Sequence, residues 1–468
     1  MTKTTKNKIV YEENILGIKG KALAIVFPET LQEIKTLIKL SHQDIIPRGS
    51  GTSFTGALIP KNSVIIDFSK MNEIIEVNPT KKTAVVQPGV LLSELNEELE
   101  QYGLEFPIEP VFGGIETIGG IIAKNSSGNR EIKYNRAINW IDSLEVISSK
   151  GEQHKISKSD LSDYVGMEGI TGIIVRASIR LTIKKQRTMT ILKSDKLEDI
   201  FAASKRLRMN PEVSAIDLIS REVATILGLE NRHHLFIEFE SDSGTFKGEN
   251  YEKYVKLKNK AYKKMAQEGF SHIENIKFLI DSLQDFLIHL EENRIPHFSH
   301  MASGVVYPLF RTDAKEPLKL EEAMKLTRRL RGRVGYNLGI GIKNKEFLEV
   351  GEAELTKRVK NRLDPSNKLN RDKVISIKFA EELLKRKEER AEAKFLPEIK
   401  QEKTEEKQEK SDLPQEPKPL TVGDILNSET MTLKKPEQEQ TPEEKEKIRK
   451  IASGFFAGGR DTKEGGNL

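Results

Sequence analysis

The sequence predicts an α+β fold, and three observations lead to this prediction. Short apolar runs alternate with helical stretches but lack the long, regular spacing of a doubly wound sheet. Glycine turns separate these runs up to about residue 184, whereas glycines are fewer from there to about residue 379. Beyond Phe379 the chain is rich in Glu, Lys and Gln and has almost no aromatic residues. We therefore divide the chain into regions 1–184, 185–379 and 380–468.

The elements of the first region follow from periodicity and from helix-end signals. Thr30 and Glu33 have capping-box spacing, and the apolar residues after them repeat with a helical period up to Ser41. A second helix begins at Leu91 and is closed by Gly103. Predicted strands cover residues 21–27, 44–47, 64–68, 74–77, 83–86, 140–148 and 173–183, with a hairpin turn at 150–151.

The second region alternates predicted helices with predicted strands. Residues 235–240 alternate as a half-buried strand should, and further strands are expected at 215–219 and near Phe298. Helices are expected at 196–209, 251–269, 280–293 and 320–330. This order predicts an antiparallel sheet with helices packed on one face.

The composition excludes several classes of protein. Lys and Arg number 76 and Asp and Glu 71, which argues against a protein that mainly coats nucleic acid. With no cysteine, the chain cannot hold a disulfide, a thiolate metal site or an iron–sulfur cluster. The absence of cysteine is consistent with a protein of a reducing compartment. Because apolar runs stay well below the roughly eighteen residues of a membrane span, and no apolar segment follows the basic N-terminus, neither a transmembrane helix nor a secretory signal is expected. We expect a cytoplasmic protein, held at a membrane only through a partner.

A glycine loop from Arg48 to Gly56 follows one of the predicted strands. Its small residues allow backbone N–H groups to converge on an anion, because no Cβ blocks the approach. An ordinary glycine-rich turn is the alternative for this segment taken alone. The third glycine is too distant for a Rossmann fingerprint, and the Gly-Lys-Ser/Thr of a Walker A loop is absent.

Further segments extend this pattern along the first region. They are 87–89, 117–128 after Pro110, Tyr134 leading into 138–146, and 165–174. Together with the glycine loop, they resemble the FAD-binding domain of the vanillyl-alcohol-oxidase and p-cresol-methylhydroxylase type. The nearest likeness is to the flavoprotein subunit of glycolate oxidase and to FAD-linked D-lactate dehydrogenases. The resemblance is strong over 20–184 and weak over 185–377, and it implies a two-subdomain FAD-binding domain with a shortened cap domain.

This resemblance implies non-covalent FAD, because the first loop lacks the histidine that attaches FAD in some relatives. It assigns Arg48, Gly49, Ser50, Gly51, Thr52, Ser53 and Gly56 to the pyrophosphate, and Gln87, Pro88 and Gly89 to a wall of the cleft. It places the loop that starts at Thr117, with Gly119, Gly120, Ala123 and Asn125, by the isoalloxazine and ribityl chain. Ile173 and Ile174 would face the adenine, and Asn370 would return to the flavin.

The catalytic motifs of the family are only partly present. In 300–307 only His300 and Gly304 match, and Tyr307 replaces a second histidine; in 335–341 Asn337 and Leu338 replace a Glu-His pair. One imidazole is too little for a metal site, so no metal is predicted. His300 is either a base or a hydrogen-bonded core residue. Tyr307 and Asn337 either rebuild a polar catalytic site or serve packing.

A neighbouring pair of histidines precedes a predicted strand. His233 and His234 are interpreted as strand-edge residues without a catalytic role.

Three functions are compatible with these residues. The leading hypothesis is a FAD-dependent oxidoreductase that oxidises a small 2-hydroxy acid by hydride transfer and passes electrons to a partner, which the resemblance suggests is an iron–sulfur subunit. The alternative is a FAD-binding subunit with a decayed substrate site, acting in assembly or electron transfer. A scaffold with an empty cleft is disfavoured by the well-kept first loop.

The third region is a charged tail that cannot bury a core, and we predict that it is largely disordered. Two short segments differ from it: the apolar residues 420–426, and a predicted helix that starts at Thr441, ends near residues 453–454 and is followed by Phe455 and Phe456. The tail either keeps the protein in solution or docks a partner.

Overall fold

The computed structural model describes residues 3–375, apart from 5–7, 15–16, 112 and 312–315. The predicted tail, with its proposed disorder and its docking helix, lies outside the described residues. The described elements form three main sheets.

The first sheet contains the strand that leads into the glycine loop. Its strands are β1 (Lys3–Thr4), β2 (Lys21–Phe27), β3 (Ile45–Arg48) and β4 (Lys61–Asp67), and the helices with them are α1 (Ile9–Glu12) and α2 (Leu31–Leu40). The spatial order is β1-β2-β4-β3, and β2, β4 and β3 are parallel. The predicted capping box is present, because Thr30 accepts a 3.2 Å hydrogen bond from the Glu33 amide and Glu33 accepts from the Thr30 amide.

The second sheet is antiparallel and five-stranded. Its strands are β5 (Ile74–Asn78), β6 (Thr83–Val86), β8 (Ile141–Ile147), β9 (Gln153–Ile156) and β10 (Ile173–Arg180), and a separate pair joins β7 (Leu104–Glu105) to β11 (Thr182–Ile183). Its helices are α3 (Leu92–Glu100), α4 (Ile118–Lys124) and α5 (Glu131–Tyr134). The predicted strand 173–183 is divided into β10 and β11. The division falls at Leu181, whose amide donates to the Lys82 carbonyl.

The third sheet is also antiparallel and belongs to the second region. Its strands are β12 (Thr188–Ser194), β13 (Val213–Ile219), β14 (His233–Phe239), β15 (His272–Ile273), β16 (Ile276–Lys277), β17 (His297–His300), β18 (Val305–Phe310) and β19 (Arg333–Val334). Its helices are α6 (Leu197–Leu207), α7 (Arg221–Ile226), α8 (Gly248–Gln267), α9 (Ile280–Glu292) and α10 (Glu316–Arg329), and α11 (Val350–Leu363) follows them. The strand order is β12-β14-β13-β17-β18-β16-β19, with β15 beside β18.

Helices cover both faces of this third sheet. As predicted, α6, α9 and α10 pack on one face. On the opposite face lie α7, which was not predicted, and α8, which corresponds to the predicted helix 251–269 but was expected on the same face as the others. The predicted half-buried alternation at 235–240 is wrong, because every residue of β14 is buried. Leu235 and Ile237 face the first helical layer, and Phe236 faces the second.

The segment after α11 returns to the first sheet. Leu369 forms a parallel bridge with Ile45, and the Asn370 amide donates to the Ile45 carbonyl at 2.8 Å. The buried Lys360 on α11 donates to the Ile170 carbonyl at 2.8 Å. The end of the described chain is therefore fastened to its beginning.

Within the part of the chain that the structure describes, none of the helices has the length and apolar character that crossing a membrane requires.

Candidate active site

The glycine loop leaves β3 at the carboxyl edge of the first sheet. Gly51 and Gly56 have φ values of +81° and +77°, in the left-handed region that favours glycine. A Cβ on Gly49 would collide with the hydroxyl of Thr117, the residue that caps α4. The loop can therefore lie against the start of α4 only because Gly49 has no side chain.

A second close approach occurs at α4 itself. A Cβ on Gly119 would lie 2.7 Å from the Cβ of Pro88 and 2.9 Å from its carbonyl oxygen. The Gly119 amide donates to that oxygen at 2.9 Å, and the Thr117 hydroxyl accepts from the Gly120 amide at 3.2 Å. These contacts bring main chain from three distant segments to one place.

A first cavity, with about 780 Å³ of empty space, lies between these segments. The predicted cofactor residues that line it are Arg48, Gly49, Ser50, Gly51, Thr52, Ser53, Pro88, Thr117, Gly119, Gly120, Ala123 and Ile174. Gly56, Gln87, Gly89, Asn125, Ile173 and Asn370 lie outside this lining.

Several of the residues outside the lining have local structural contacts. Gln87 accepts a 2.9 Å hydrogen bond from the Glu73 amide, and Asn125 accepts a 3.0 Å bond from the Ile138 amide. Ile173 packs in the apolar core between the first two sheets.

Asn370 lies beside the residues of the first cavity. Its Nδ2 donates to the carbonyl of Glu168 at 2.8 Å, and Glu168 lines the cavity. Its Oδ1 is buried and has no hydrogen-bond partner among the described residues. An unsatisfied buried amide oxygen is costly, so it is a candidate contact for a ligand.

Arg48 lines the first cavity, and Tyr11 and Asp67 contact its guanidinium group. It stacks on the ring of Tyr11 at 4.5 Å, and its Nε lies 3.8 Å from a carboxylate oxygen of Asp67. Burial lowers the pKa of Arg48, while Asp67 opposes this shift. Asp67 and Tyr11 therefore stabilise this charge at the cavity.

The lining also contains charged residues that the sequence reasoning missed. Glu116 and Lys124 form a 2.7 Å ion pair, and both line the cavity. Glu168 accepts hydrogen bonds from the amides of Ile340 (2.5 Å) and Gly341 (3.1 Å). Burial raises the pKa of Glu168 to about 7, although these two amides act in the opposite direction. The sequence signal for Glu168 is an isolated acidic residue in the glycine-flanked segment between Gly166 and Gly169.

A second cavity, with about 640 Å³ of empty space, lies between the third sheet and the segment that follows α4. Asn129 and Arg130, in the segment that follows α4, line this cavity on one side. His300 of β17 lines it on the side of the sheet. The other lining residues are Glu109, Pro110, Val111, Asp217, Leu218, Ile219, Glu238, Val255, Lys258, Asn259, Tyr262, Phe298 and Ser299.

His300 forms an imidazole–carboxylate pair in the second cavity. Its Nδ1 lies 2.8 Å from Oδ1 of Asp217, and the other oxygen of Asp217 accepts hydrogen bonds from Lys258 and, at 3.3 Å, from Asn129. Burial favours the neutral acid, but Lys258 and His300 outweigh it and lower the pKa of Asp217. Nε2 of His300 is buried without a hydrogen-bond partner among the described residues. This geometry is that of a general base held by a carboxylate.

The structure brings the three predicted catalytic residues together, but only His300 lines the second cavity. The rings of His300 and Tyr307 meet edge to face at 5.2 Å. Asn337 donates to the Tyr307 hydroxyl at 2.9 Å and accepts from the Ser127 hydroxyl at 2.8 Å. Tyr307 and Asn337 are thus buried, and their contacts connect His300 to Ser127 in the segment that follows α4.

Arg130 connects the two regions across the second cavity. Its Nε lies 2.6 Å from Glu238 of β14, and its Nη1 lies 2.8 Å from Glu109. A second bond to Glu238, at 3.0 Å from Nη2, makes the pair bidentate. The sequence offered no signal for this pairing, because its partners are 108 residues apart.

The prediction for the histidine pair needs correction. His233 and His234 are fully buried within β14, which lies between β12 and β13, and are not at a strand edge. His233 Nε2 lies 3.0 Å from Glu291. This carboxylate offsets the cost of burying a polar ring. Neither histidine lines the two cavities.

Much of the first cavity's lining lies in a segment that matches a known family. Residues 22–157 match the family described as FAD binding domain. The chain therefore carries a FAD-binding domain. This confirms the predicted resemblance and indicates FAD as the cofactor.

Similarity to curated proteins extends beyond the FAD-binding domain. The D-2-hydroxyglutarate dehydrogenase of Stutzerimonas stutzeri is 27% identical over 220 residues, which cover 44% of this chain and 47% of that protein. The glycolate oxidase subunit GlcD of Bacillus subtilis is 33% identical over 183 residues, which cover 36% of this chain and 39% of that protein. The matches thus span less than half the length of these relatives.

A solved structure of alkyldihydroxyacetonephosphate synthase is similar over 76% of this chain and 77% of its own, with a TM-score of 0.59 and 17% identity. This similarity concerns the fold, so the predicted α+β architecture is confirmed.

The first cavity fits the FAD that the family implies. Because Gly49 and Gly119 lack side chains, the glycine loop, Pro88 and the start of α4 pack closely and place main-chain groups at the cavity wall. Phosphate groups bind such exposed amides, and a flat ring needs close approach of the main chain. The unpaired Oδ1 of Asn370 adds a polar atom nearby.

Proposed function

We propose that this chain is a FAD-dependent oxidoreductase that converts a 2-hydroxy acid to the 2-oxo acid. The observation that carries the proposal is His300, a residue of the second-cavity lining whose Nδ1 is fixed by Asp217 while its Nε2 is buried without a hydrogen-bond partner among the described residues. The names of the two relatives, a glycolate oxidase subunit and a D-2-hydroxyglutarate dehydrogenase, support it.

The residues that would hold FAD line the first cavity. They are the 48–53 loop, Pro88, Thr117, Gly119, Gly120, Ala123 and Ile174, and the loop would contribute main-chain amides. Gly56, Gln87, Gly89, Asn125 and Ile173 would support this lining from behind, and Asn370 would contribute its free Oδ1. Bound FAD supplies the two-electron acceptor that oxidation of an alcohol requires.

The chain's own residues would manage the proton and orient the substrate. His300 takes the proton of the substrate hydroxyl at Nε2, and Asp217 stabilises the resulting imidazolium through Nδ1. Lys258, which donates one hydrogen bond to Asp217, has further N–H donors for the substrate carboxylate. Tyr307 and Asn337 act as positioning residues, because they hold the imidazole ring from behind.

The electrons must leave the protein through a partner or oxygen. This chain has no cysteine for an iron–sulfur cluster of its own. The acceptor that we propose is a separate iron–sulfur subunit, which the family resemblance suggests. The tail is proposed to dock such a partner. We propose a cytoplasmic location, with any membrane contact made through the partner.

Anaerobic flavin bleaching tests the proposal. Purified protein is reconstituted with FAD, and its absorbance near 450 nm is followed after addition of single 2-hydroxy acids, with the matching 2-oxo acids as controls. We expect at least one hydroxy acid to bleach the flavin and none of the oxo acids to do so. Yellow protein that no 2-hydroxy acid bleaches would contradict the proposal and favour a FAD-binding subunit acting in assembly or electron transfer.

A further inference from the structure

An apolar wall faces the interior of the second cavity. The rings of Tyr262 and Phe298 stack at 4.6 Å, and both line the cavity. Val255, on the same helix as Tyr262 and seven residues before it, extends this wall, and Val111 and Ile219 complete it. We refer to these five residues as the apolar wall.

The apolar wall begins directly beside the proposed base. Phe298 and His300 are two residues apart on β17, so their side chains point from the same face of the sheet. Lys258 lies between Val255 and Tyr262 along α8, and it contacts the carboxylate that holds His300. A substrate with its hydroxyl at His300 and its carboxylate at Lys258 would therefore direct its side chain at the wall.

The charges of the second cavity are already compensated. Its cationic side chains in the described lining are Arg130 and Lys258. Arg130 is paired with Glu238 and Glu109, and Lys258 is paired with Asp217. Lys258 is left as the cation with N–H donors for the substrate carboxylate, whereas Arg130 is paired twice, so a second carboxylate on the substrate would meet no unpaired cation in this lining.

We infer that the substrate is a 2-hydroxy monocarboxylic acid with a branched aliphatic or aromatic side chain. This inference rests on the proposed function and specifies the substrate class of the same site. It distinguishes this chain from enzymes whose substrate is glycolate, which has no side chain, or a 2-hydroxy dicarboxylic acid.

The test compares rates of anaerobic flavin reduction by racemic lactate, 2-hydroxy-4-methylpentanoate, 3-phenyllactate and 2-hydroxyglutarate. Each additional buried methylene raises the apparent second-order rate constant by about fourfold, so 2-hydroxy-4-methylpentanoate should exceed lactate by roughly 50-fold. Flavin reduction by 2-hydroxyglutarate should be slower than by lactate. Glycolate, lactate or 2-hydroxyglutarate reacting as fast as the apolar acids would overturn the inference.

A variant of the wall sharpens the test. Val255→Phe should fill the space in front of the aromatic pair and lower the ratio of 3-phenyllactate to lactate reactivity by about tenfold or more. Lys256→Ala, at the exposed neighbouring position on α8, is the matched control and should leave this ratio unchanged. An unchanged ratio in Val255→Phe, with FAD content and melting temperature preserved, would count against the wall as the side-chain site.

Failure of the inference and failure of the proposed function give different results. If no hydroxy acid bleaches the flavin, binding of 4-methyl-2-oxopentanoate and 2-oxoglutarate is measured by the change in the flavin absorption spectrum. At least tenfold tighter binding of the apolar oxo acid would support the inferred ligand class, although the proposed oxidation had failed. Equal binding, tighter binding of 2-oxoglutarate, or no binding of either would overturn the inferred class itself.

Discussion

The first and second cavities are built in opposite ways. Main-chain segments rich in glycine form much of the first, and the decisive residues Gly49 and Gly119 contribute the absence of a side chain. Side chains from distant parts of the chain form the second, where His300 meets Asp217 across 83 residues and Arg130 meets Glu238 across 108. A site made from main chain leaves a local sequence motif, whereas a site made from side chains depends on the tertiary fold.

The largest expected effect comes from a substitution in the second cavity, which tests whether His300 is the base for substrate oxidation. His300→Asn removes the proposed base, and the rate of flavin reduction by the best 2-hydroxy acid should fall by about 100- to 10,000-fold. Stopped-flow absorbance at 450 nm measures this rate, and the FAD content should equal that of the unmodified protein. His154→Asn, at a surface position, serves as the control. A rate within threefold of the original would exclude His300 as the base.

An intermediate effect tests the acid that joins the 339–341 turn to the first cavity. The folded pKa of Glu168 is raised from 4.5 to about 7, so the folded protein holds an extra proton between these values. This contribution to stability is complete below pH 4.5 and is lost as pH rises to 7. Relative to Glu168→Gln, the free energy of unfolding should fall by about 3 kcal/mol over this range.

Urea unfolding at a series of pH values measures this difference. Glu97→Gln, at an exposed position on α3, is the control and should follow the pH dependence of the unmodified protein. Parallel curves for the unmodified protein and Glu168→Gln would show that Glu168 titrates normally.

The smallest expected effect tests the main-chain construction of the first cavity. Gly49→Ala places a Cβ against the Thr117 hydroxyl, and adjustment of the loop should weaken FAD binding by about 10- to 100-fold. Gly351→Ala, where a Cβ meets open space, is the matched control. Equilibrium dialysis with FAD measures both affinities. If Gly49→Ala binds FAD as tightly as Gly351→Ala does, close main-chain approach at residue 49 is unimportant.

The sequence was most informative where structure depends on local signals. The capping box at Thr30 and the bounds of β2 and β6 agree with the predictions, because these depend on short-range periodicity. The 48–53 loop, which lines the first cavity, was predicted from its density of glycine and other small residues, which is also a local signal. No helix was predicted at α11, where polar and charged residues predominate.

The second cavity was beyond the reach of local patterns. His300 could be predicted as a site residue from the sequence. Its partner Asp217 lies in an otherwise apolar strand, and nothing in the local sequence distinguishes it as a site residue. The burial of Glu238 contradicted the alternation expected of β14, because Arg130 arrives from the other region to neutralise it. Such compensation requires knowledge of which elements meet.

The bridge between Leu369 and Ile45 also protects the molecule from a hazard. Because β3 is at the border of its sheet, Leu369 occupies part of an edge that would otherwise be free to pair with another chain. A truncation after residue 184 would uncover this border and invite aggregation. The amino-terminal region is therefore not an interchangeable module, and a chimera made with a relative must carry the 364–375 segment from the same parent.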